Sequence, residues 1–146
     1  GRARVLLDGR IAYIDNTGKV VIGPLEGVSR AFDFRHGLAR IRVKTRWGFI
    51  DRSGKQLVPP SYFAAYDFSE GMASVQDEKG WSCIGSDGKV LLRMGQDWLM
   101  TYSGGLAPMI RDRKVGYVNR EGKVVIQPQF LRAFEFSEGF ASVELE

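Results

Sequence analysis

The fold of this chain is decided by a stretch at residues 47–60, which reads WGFIDRSGKQLVPP. A large aromatic residue stands beside a glycine, two apolar residues follow, and a polar turn sequence separates them from a second apolar run. Asp51 suits the first position of a type I turn, and Gly54 suits the positive φ of the adjoining bulge. The stretch therefore predicts two strands joined by a tight turn. The second strand should end at Pro59-Pro60, because proline cannot continue a ladder of hydrogen bonds.

The same stretch recurs along the chain. Its strand–turn–strand part, FIDRSGKQLV (49–58), is matched by YIDNTGKVVI (13–22), CIGSDGKVLL (83–92) and YVNREGKVVI (117–126). A second motif, Gly-x-Ala, begins at Gly37, Gly71, Gly105 and Gly139, which are 34 residues apart, and Gly1 opens a further copy. Four units result, at 1–36, 37–70, 71–104 and 105–138, with a partial strand at 139–146. Since the pattern stops within a strand, we expect the chain to be part of a longer protein.

Each unit has the pattern of a three-stranded antiparallel meander. The segment GLARIRVK (37–44) alternates apolar and basic residues, which is typical of a half-buried strand. The central WGFI and the third strand follow, and an aromatic-rich connector then leads to the next unit. One such meander is hardly stable alone, so neighbours must stack to bury their apolar faces. We predict an all-β fold of tandem meanders in a solenoid-like stack. The alternative is a β-propeller-like ring, which is less favoured because propeller blades usually have four strands.

The bulk composition agrees with one globular domain of many short strands. The chain has 146 residues, of which 44% are apolar and 18 are glycines. No apolar run approaches the roughly 18 residues that a membrane span requires, so no span is expected. The net charge of +4 is uneven. Residues 1–73 carry 12 Lys and Arg against 7 Asp and Glu, and residues 74–146 carry 9 against 10. The first half, at +5, could attract an anionic partner.

Nothing in the sequence predicts an enzyme. Asp15 and Asp51 recur at matching positions, but the other two units lack an acid there, which favours turn residues over catalytic carboxylates. His36 and Cys83 are the only histidine and the only cysteine, and Cys83 replaces the aromatics of other units, as a small core residue would. Zinc-ligand spacings, phosphate-binding loops and dinucleotide fingerprints are absent from the sequence. We therefore predict no catalytic residues, no metal and no cofactor.

Five residues are candidates for ligand binding. Arg40, Arg42 and Lys44 alternate along one predicted strand and should share a face, and Arg4 is equivalent to Arg40. They could bind an anion, although a solvated face that discourages strand pairing is the favoured interpretation. Trp98 occupies a connector position that other units fill with smaller or charged residues. It could contact a ligand, although single exposed aromatics are common.

The repeated pattern resembles the WG-repeat family of mostly bacterial proteins, also called KWG repeats. Trp47-Gly48 and Phe68-Ser69-Glu70-Gly71 carry the resemblance in the second unit, which matches best. The other units replace the Trp-Gly pair with Ile11-Ala12, Trp81-Ser82 and Val115-Gly116, and the third unit diverges most. The resemblance implies a tandem repeat module, often found beside other domains, with no activity and no defined ligand.

The function predicted from the sequence is a non-catalytic scaffold that binds another protein, or another domain of its parent chain, across the stacked meanders. One alternative is a module that binds glycans or the cell envelope through exposed aromatic residues. Another is binding of an anionic ligand such as nucleic acid through the basic face, which would weaken steeply with salt.

Overall fold

The computed structural model describes residues 1–145, and every regular element in them is a β-strand. In chain order the strands are β1 (Ala3–Leu7), β2 (Arg10–Ile14), β3 (Val20–Ile22), β4 (Val28–Ala31), β5 (Leu38–Val43), β6 (Arg46–Asp51), β7 (Gln56–Tyr62), β8 (Ala64–Ala65) and β9 (Met72–Asp77). They continue with β10 (Gly80–Gly85), β11 (Val90–Gly95), β12 (Trp98–Leu99), β13 (Leu106–Arg111), β14 (Lys114–Asn119), β15 (Val124–Phe130), β16 (Arg132–Ala133) and β17 (Val143–Glu144).

The strands form five antiparallel sheets in chain order. Sheet 1 is β1–β3, sheet 2 is β4–β7, sheet 3 is β8–β11, sheet 4 is β12–β15 and sheet 5 is β16–β17. The connector contributes a short strand that pairs with the first strand of the following meander, as Ala65 does with Val75. The three middle sheets therefore have four strands each, rather than the three that the sequence predicts. The added strand has two residues in sheets 3 and 4 and four in sheet 2, which is too short for a clear alternation in the sequence.

The hydrophobic cores lie between consecutive sheets. On β5, Ile41 packs with Ile11 and Tyr13 of sheet 1, whereas Leu38 packs with Ile84 of sheet 3. Sheet 2 is therefore covered on both faces. The extensive contacts between sheets join only neighbours along the chain, and no sheet in residues 1–145 closes into a barrel. The prediction of an all-β stack of tandem meanders is confirmed.

The same type of aromatic ring pair occurs at three of the contacts between neighbouring sheets. A ring on the central strand of one sheet meets, edge to face, a ring from the hairpin that opens the next sheet. The centroid distance is 4.9 Å in each of the pairs Tyr13–Phe34, Phe49–Phe68 and Tyr117–Phe136. Such a pair contributes about 0.5–1.5 kcal/mol beyond the area that it buries. The repeat therefore reproduces a contact between sheets as well as a strand pattern.

At the interface between sheets 3 and 4, a hydrogen bond replaces this ring pair. Cys83 stands where the other sheets have an aromatic ring, and the hydroxyl of Ser74 donates to the carbonyl oxygen of Met100 at 2.7 Å. Tyr102 occupies the position of Phe34, Phe68 and Phe136, and its hydroxyl donates within sheet 4, to the carbonyl oxygen of Asn119 at 3.0 Å. The most divergent unit thus holds its neighbour by a different set of interactions at the same positions.

The repeated glycines and acids have the turn roles that the sequence predicts. His36 and Gly37 both have positive φ, 50° and 84°, as a two-residue type I′ hairpin requires. In the other turn, Oδ1 of Asp51 accepts hydrogen bonds from the amide and hydroxyl of Ser53, at 2.8 and 2.6 Å, and from the amide of Lys55. These bonds hold the pKa of Asp51 below its usual value. Asp15 makes the equivalent bonds.

The prediction that Pro59-Pro60 ends the third strand is wrong. Strand β7 continues through both prolines to Tyr62, and its register against β6 shifts between Trp47 and Phe49. Proline is tolerated at such an irregular site on an outer strand. The shift brings the backbone of β7 against Gly48, where a Cβ would lie 2.5 Å from the carbonyl oxygen of Val58. The glycine of the Trp-Gly pair is thus required by the partner backbone.

We expect Gly48→Ala to destabilise the protein by about 2 kcal/mol, because the methyl group would collide with backbone atoms that cannot rotate away. The matched control is Gly85→Ala, whose Cβ would meet movable side-chain ends at 3.2 Å or more, on Asp87 and Leu91. Its cost should stay below about 1 kcal/mol. Chemical denaturation followed by circular dichroism measures both. Equal losses for the two variants would contradict this account of Gly48.

Candidate binding surface

Arginine side chains stack on aromatic rings along one side of sheet 2. The guanidinium carbon of Arg40 lies 4.2 Å from the centre of the Phe32 ring and 4.8 Å from that of Trp47. Arg42 lies 5.6 Å from the Trp47 ring, and Arg4 lies 6.0 Å from Phe32. These are cation–π distances, and each such contact contributes about 0.5–2 kcal/mol, depending on how far it is shielded from water. We call these five residues the arginine cluster.

Arg40 is part of the packing between sheets 2 and 3. Its side chain is only 14% exposed, and its Nε lies 3.0 Å from Oδ1 of Asp67. Its guanidinium also donates to the carbonyl oxygen of Ala65. Burial lowers the pKa of Arg40, and the nearby carboxylate of Asp67 opposes that shift. The predicted solvated basic face therefore does not describe Arg40, because a middle sheet of the stack has neither face free.

The other predicted basic residues are placed differently. Arg42 shares the face of Arg40, as expected, and is half-buried against Trp47. Lys44 lies beyond the end of β5, in an exposed turn with φ 53°. Arg4 is exposed, and it donates to the carbonyl oxygen of Ala31 as Arg40 does to that of Ala65. The structure thus brings together Arg4, Arg40 and Arg42 around Phe32 and Trp47, and leaves Lys44 apart.

Trp98 belongs to a second group, which we call the tryptophan cluster. Trp81 is 5% exposed and lies between Tyr66 and Trp98, with ring centroids 5.9 and 5.8 Å away. The Trp81 and Trp98 rings are nearly parallel, at 11°. Trp98 donates through Nε1 to the hydroxyl oxygen of Tyr66 at 3.1 Å. Its side chain is nevertheless 47% exposed, so Trp98 is a fixed ring with part of its surface in solvent.

The two clusters adjoin and use equivalent positions. Trp47 and Trp81 are equivalent in the repeat, and the bond from Arg40 to Ala65 ends one residue before Tyr66. The guanidinium groups of Arg40 and Arg42 lie over the indole of Trp47, whereas the indole of Trp98 lies over that of Trp81. We call the combined surface the aromatic–arginine band.

The only cysteine and the only histidine, the residues most suited to catalysis, lie outside the aromatic–arginine band. Cys83 is fully buried, burial raises its pKa to about 11, and its Sγ lies 3.8 Å from the hydroxyl of Ser74. His36 lies in an exposed hairpin turn, with Nδ1 3.3 Å from the carbonyl oxygen of Phe68. The structure therefore does not pair them. Residues 1–145 also hold no group of three or more side chains suited to a metal ion.

The chain belongs to the family described as WG containing repeat. The family model matches residues 12–44, 47–81 and 116–146. The matched ranges leave out 82–115, which include most of the divergent third unit. No curated protein matches the chain significantly. Within the described residues, no helix has the length and apolar character needed to cross a membrane.

We expect Arg40→Ala to destabilise the protein by about 2 kcal/mol, since it leaves the Asp67 carboxylate and the Ala65 carbonyl without their partner. Arg42→Ala is the matched control and should cost less than about 1 kcal/mol, because it removes only a contact on Trp47. Denaturation midpoints measure both, and a double-mutant cycle with Asp67→Ala isolates the ion pair. Equal costs for Arg40→Ala and Arg42→Ala would show that Arg40 is not a link between sheets.

Proposed function

We propose that this stack is a non-catalytic scaffold that binds a protein partner, or another domain of its parent chain, over the aromatic–arginine band. The observation that carries the proposal is the state of Trp98, which is half-exposed yet fixed by its stacking on Trp81 and its hydrogen bond to Tyr66. Trp, Tyr and Arg dominate the energetic centres of protein interfaces. A ring that is already fixed loses little conformational freedom on binding, which lowers the cost of association.

The repeat architecture supports the same role. Stacked meanders present equivalent positions at regular intervals, so a short chain builds a long surface. The groups able to do chemistry have structural tasks: Asp15 and Asp51 close turns, and Cys83 fills a core with a raised pKa. These tasks favour recognition over catalysis.

A glycan is the second candidate ligand, because the exposed part of the Trp98 ring could stack against a sugar. Glycan binding should depend little on salt. Binding of nucleic acid through phosphate contacts should weaken steeply as salt rises. Nucleic acid is less favoured, because Arg40, the central basic residue, is already engaged by Asp67 and Ala65.

We expect Trp98→Ala to lower the affinity for the partner at least tenfold, because it removes a central aromatic anchor. The partner is captured from the native source with immobilised wild-type chain, identified by mass spectrometry, purified and titrated by calorimetry. Leu91→Ala is the matched control, since Leu91 is also a large exposed apolar side chain, on β11.

A partner that binds Trp98→Ala as tightly as wild type would remove the band from the interface. Capture of a glycan instead, with an affinity that is independent of salt, would assign the surface to the second candidate. If the wild-type chain retains no protein above a blank matrix, the scaffold proposal fails.

A further inference from the structure

A groove of about 440 Å³ lies between sheets 1 and 2 and adjoins the arginine cluster. Its lining includes Ile11 of β2, Arg30 of β4, Phe32 just after β4, and Arg4 and Leu6 of β1. Leu6 is 71% exposed, so its apolar side chain stands open to solvent beside the groove. The volume is within the range of about 300–1,000 Å³ that is common for ligand sites.

The following interfaces show what this groove lacks. Ile11 occupies the repeat position that Trp47 and Trp81 fill in sheets 2 and 3. The bond from Arg4 to the Ala31 carbonyl matches the bond from Arg40 to the Ala65 carbonyl, so the two interfaces have the same local arrangement. The groove is therefore the place where the second and third repeats hold an indole ring of their own, whereas the fourth has Val115.

The interface between sheets 3 and 4 also shows how a ring would be held there. Between sheets 3 and 4, Trp81 lies nearly parallel to Trp98, with 5.8 Å between centroids. Arg30 takes the position of Trp98 in the groove. A guanidinium can replace the indole in this role, since Arg40 stacks on Trp47 in this protein. A ring that enters over Ile11 would accordingly lie against Arg30.

The positive charge of the groove determines which charged groups are favoured next to that ring. Arg4 and Arg30 are both exposed, and both line the groove. Among residues 1–145, those that line the groove include no carboxylate. An occupant with negative charge next to its ring would find complementary charge on the groove.

We propose that the groove between sheets 1 and 2 binds an aromatic side chain of a partner protein that is flanked by carboxylates, in an acidic peptide segment. This inference rests on the proposed role in protein binding and adds a second contact site to the aromatic–arginine band. A peptide side chain fits better than a nucleobase. Leu6 and Ile11 supply apolar surface, and Ser29 is the only neutral polar side chain that the described part of the chain contributes to the lining. The polar edge of a base would lose hydrogen bonds to water without replacement.

The test is direct titration of the full chain with a blocked Asp-Trp-Asp peptide, followed by calorimetry and by amide chemical shifts. We expect saturable binding, with shifts centred on Leu6, Ile11 and Phe32. Blocked Asp-Ala-Asp and Lys-Trp-Lys peptides should bind at least tenfold more weakly, because each lacks one of the two recognised features. Equal binding of all three peptides, or none up to millimolar concentration, would overturn the proposal. Tighter binding of adenosine monophosphate would assign the groove to nucleotides and would also overturn it.

Two variants test whether the peptide binds in the groove. Ile11→Trp places an indole where the groove is open and should lower the affinity for Asp-Trp-Asp at least tenfold, with an unchanged circular dichroism spectrum. Arg30→Glu, at an exposed site, should cause a similar loss and serves if Ile11→Trp does not fold. Unchanged affinity in either folded variant would overturn the proposal. Trp98→Ala should bind the peptide as wild type does. Peptide titration and capture of the protein partner therefore fail independently.

Discussion

The structure depends on burial between sheets, because no sheet in the described chain has a core of its own. Each middle sheet has four short strands and two apolar faces, and each face is covered by a neighbour. The ring pairs Tyr13–Phe34, Phe49–Phe68 and Tyr117–Phe136 repeat this contact with the same 4.9 Å spacing. Two of them are reinforced by a tyrosine hydroxyl that donates to the carbonyl oxygen of Phe32 or Phe134. Stability is therefore expected to be a sum of terms between nearest neighbours.

The same dependence explains how a repeat protein can carry a specific surface. The positions around each interface are fixed by packing, so a substitution changes the surface without changing the fold. Trp81 stacks on Trp98 between sheets 3 and 4, and Trp47 contacts Arg40 and Arg42 near the interface of sheets 2 and 3. Between sheets 1 and 2, the smaller Ile11 leaves a groove. The surfaces that we propose for binding thus lie at the positions where one repeat differs from the next.

The sequence predicts the repeats, their turns and the stacking, because the spacing of glycines and the alternation along strands are local signals. It does not predict the short strands such as Ala64–Ala65, which are too brief to show a period. The prediction for Pro59-Pro60 fails because Gly48 lets the bulged backbone continue past both prolines. The prediction of a solvated position for Arg40 is wrong, because alternation separates the two faces of a strand but does not show whether a neighbouring sheet covers each face. A guanidinium between two aromatic rings, with a carboxylate and a carbonyl in reach, can be buried, and those partners lie far apart in sequence.

The central claim, that each sheet is stabilised by its immediate neighbours in an open stack, is tested most directly by removing residues 105–146. Amide chemical shifts and denaturation of the remaining chain are the measurement. The account predicts that residues 1–60 keep their native shifts and unfold cooperatively, at a lower denaturant concentration than in the full chain. The changes in shift should be confined to residues 98–104, whose strand β12 loses its partner β13, and to the core formed by Met72, Trp81 and Cys83, which loses most of its cover. Complete loss of structure, including that of sheets 1 and 2, would contradict the account and would indicate that the first and last sheets depend on each other.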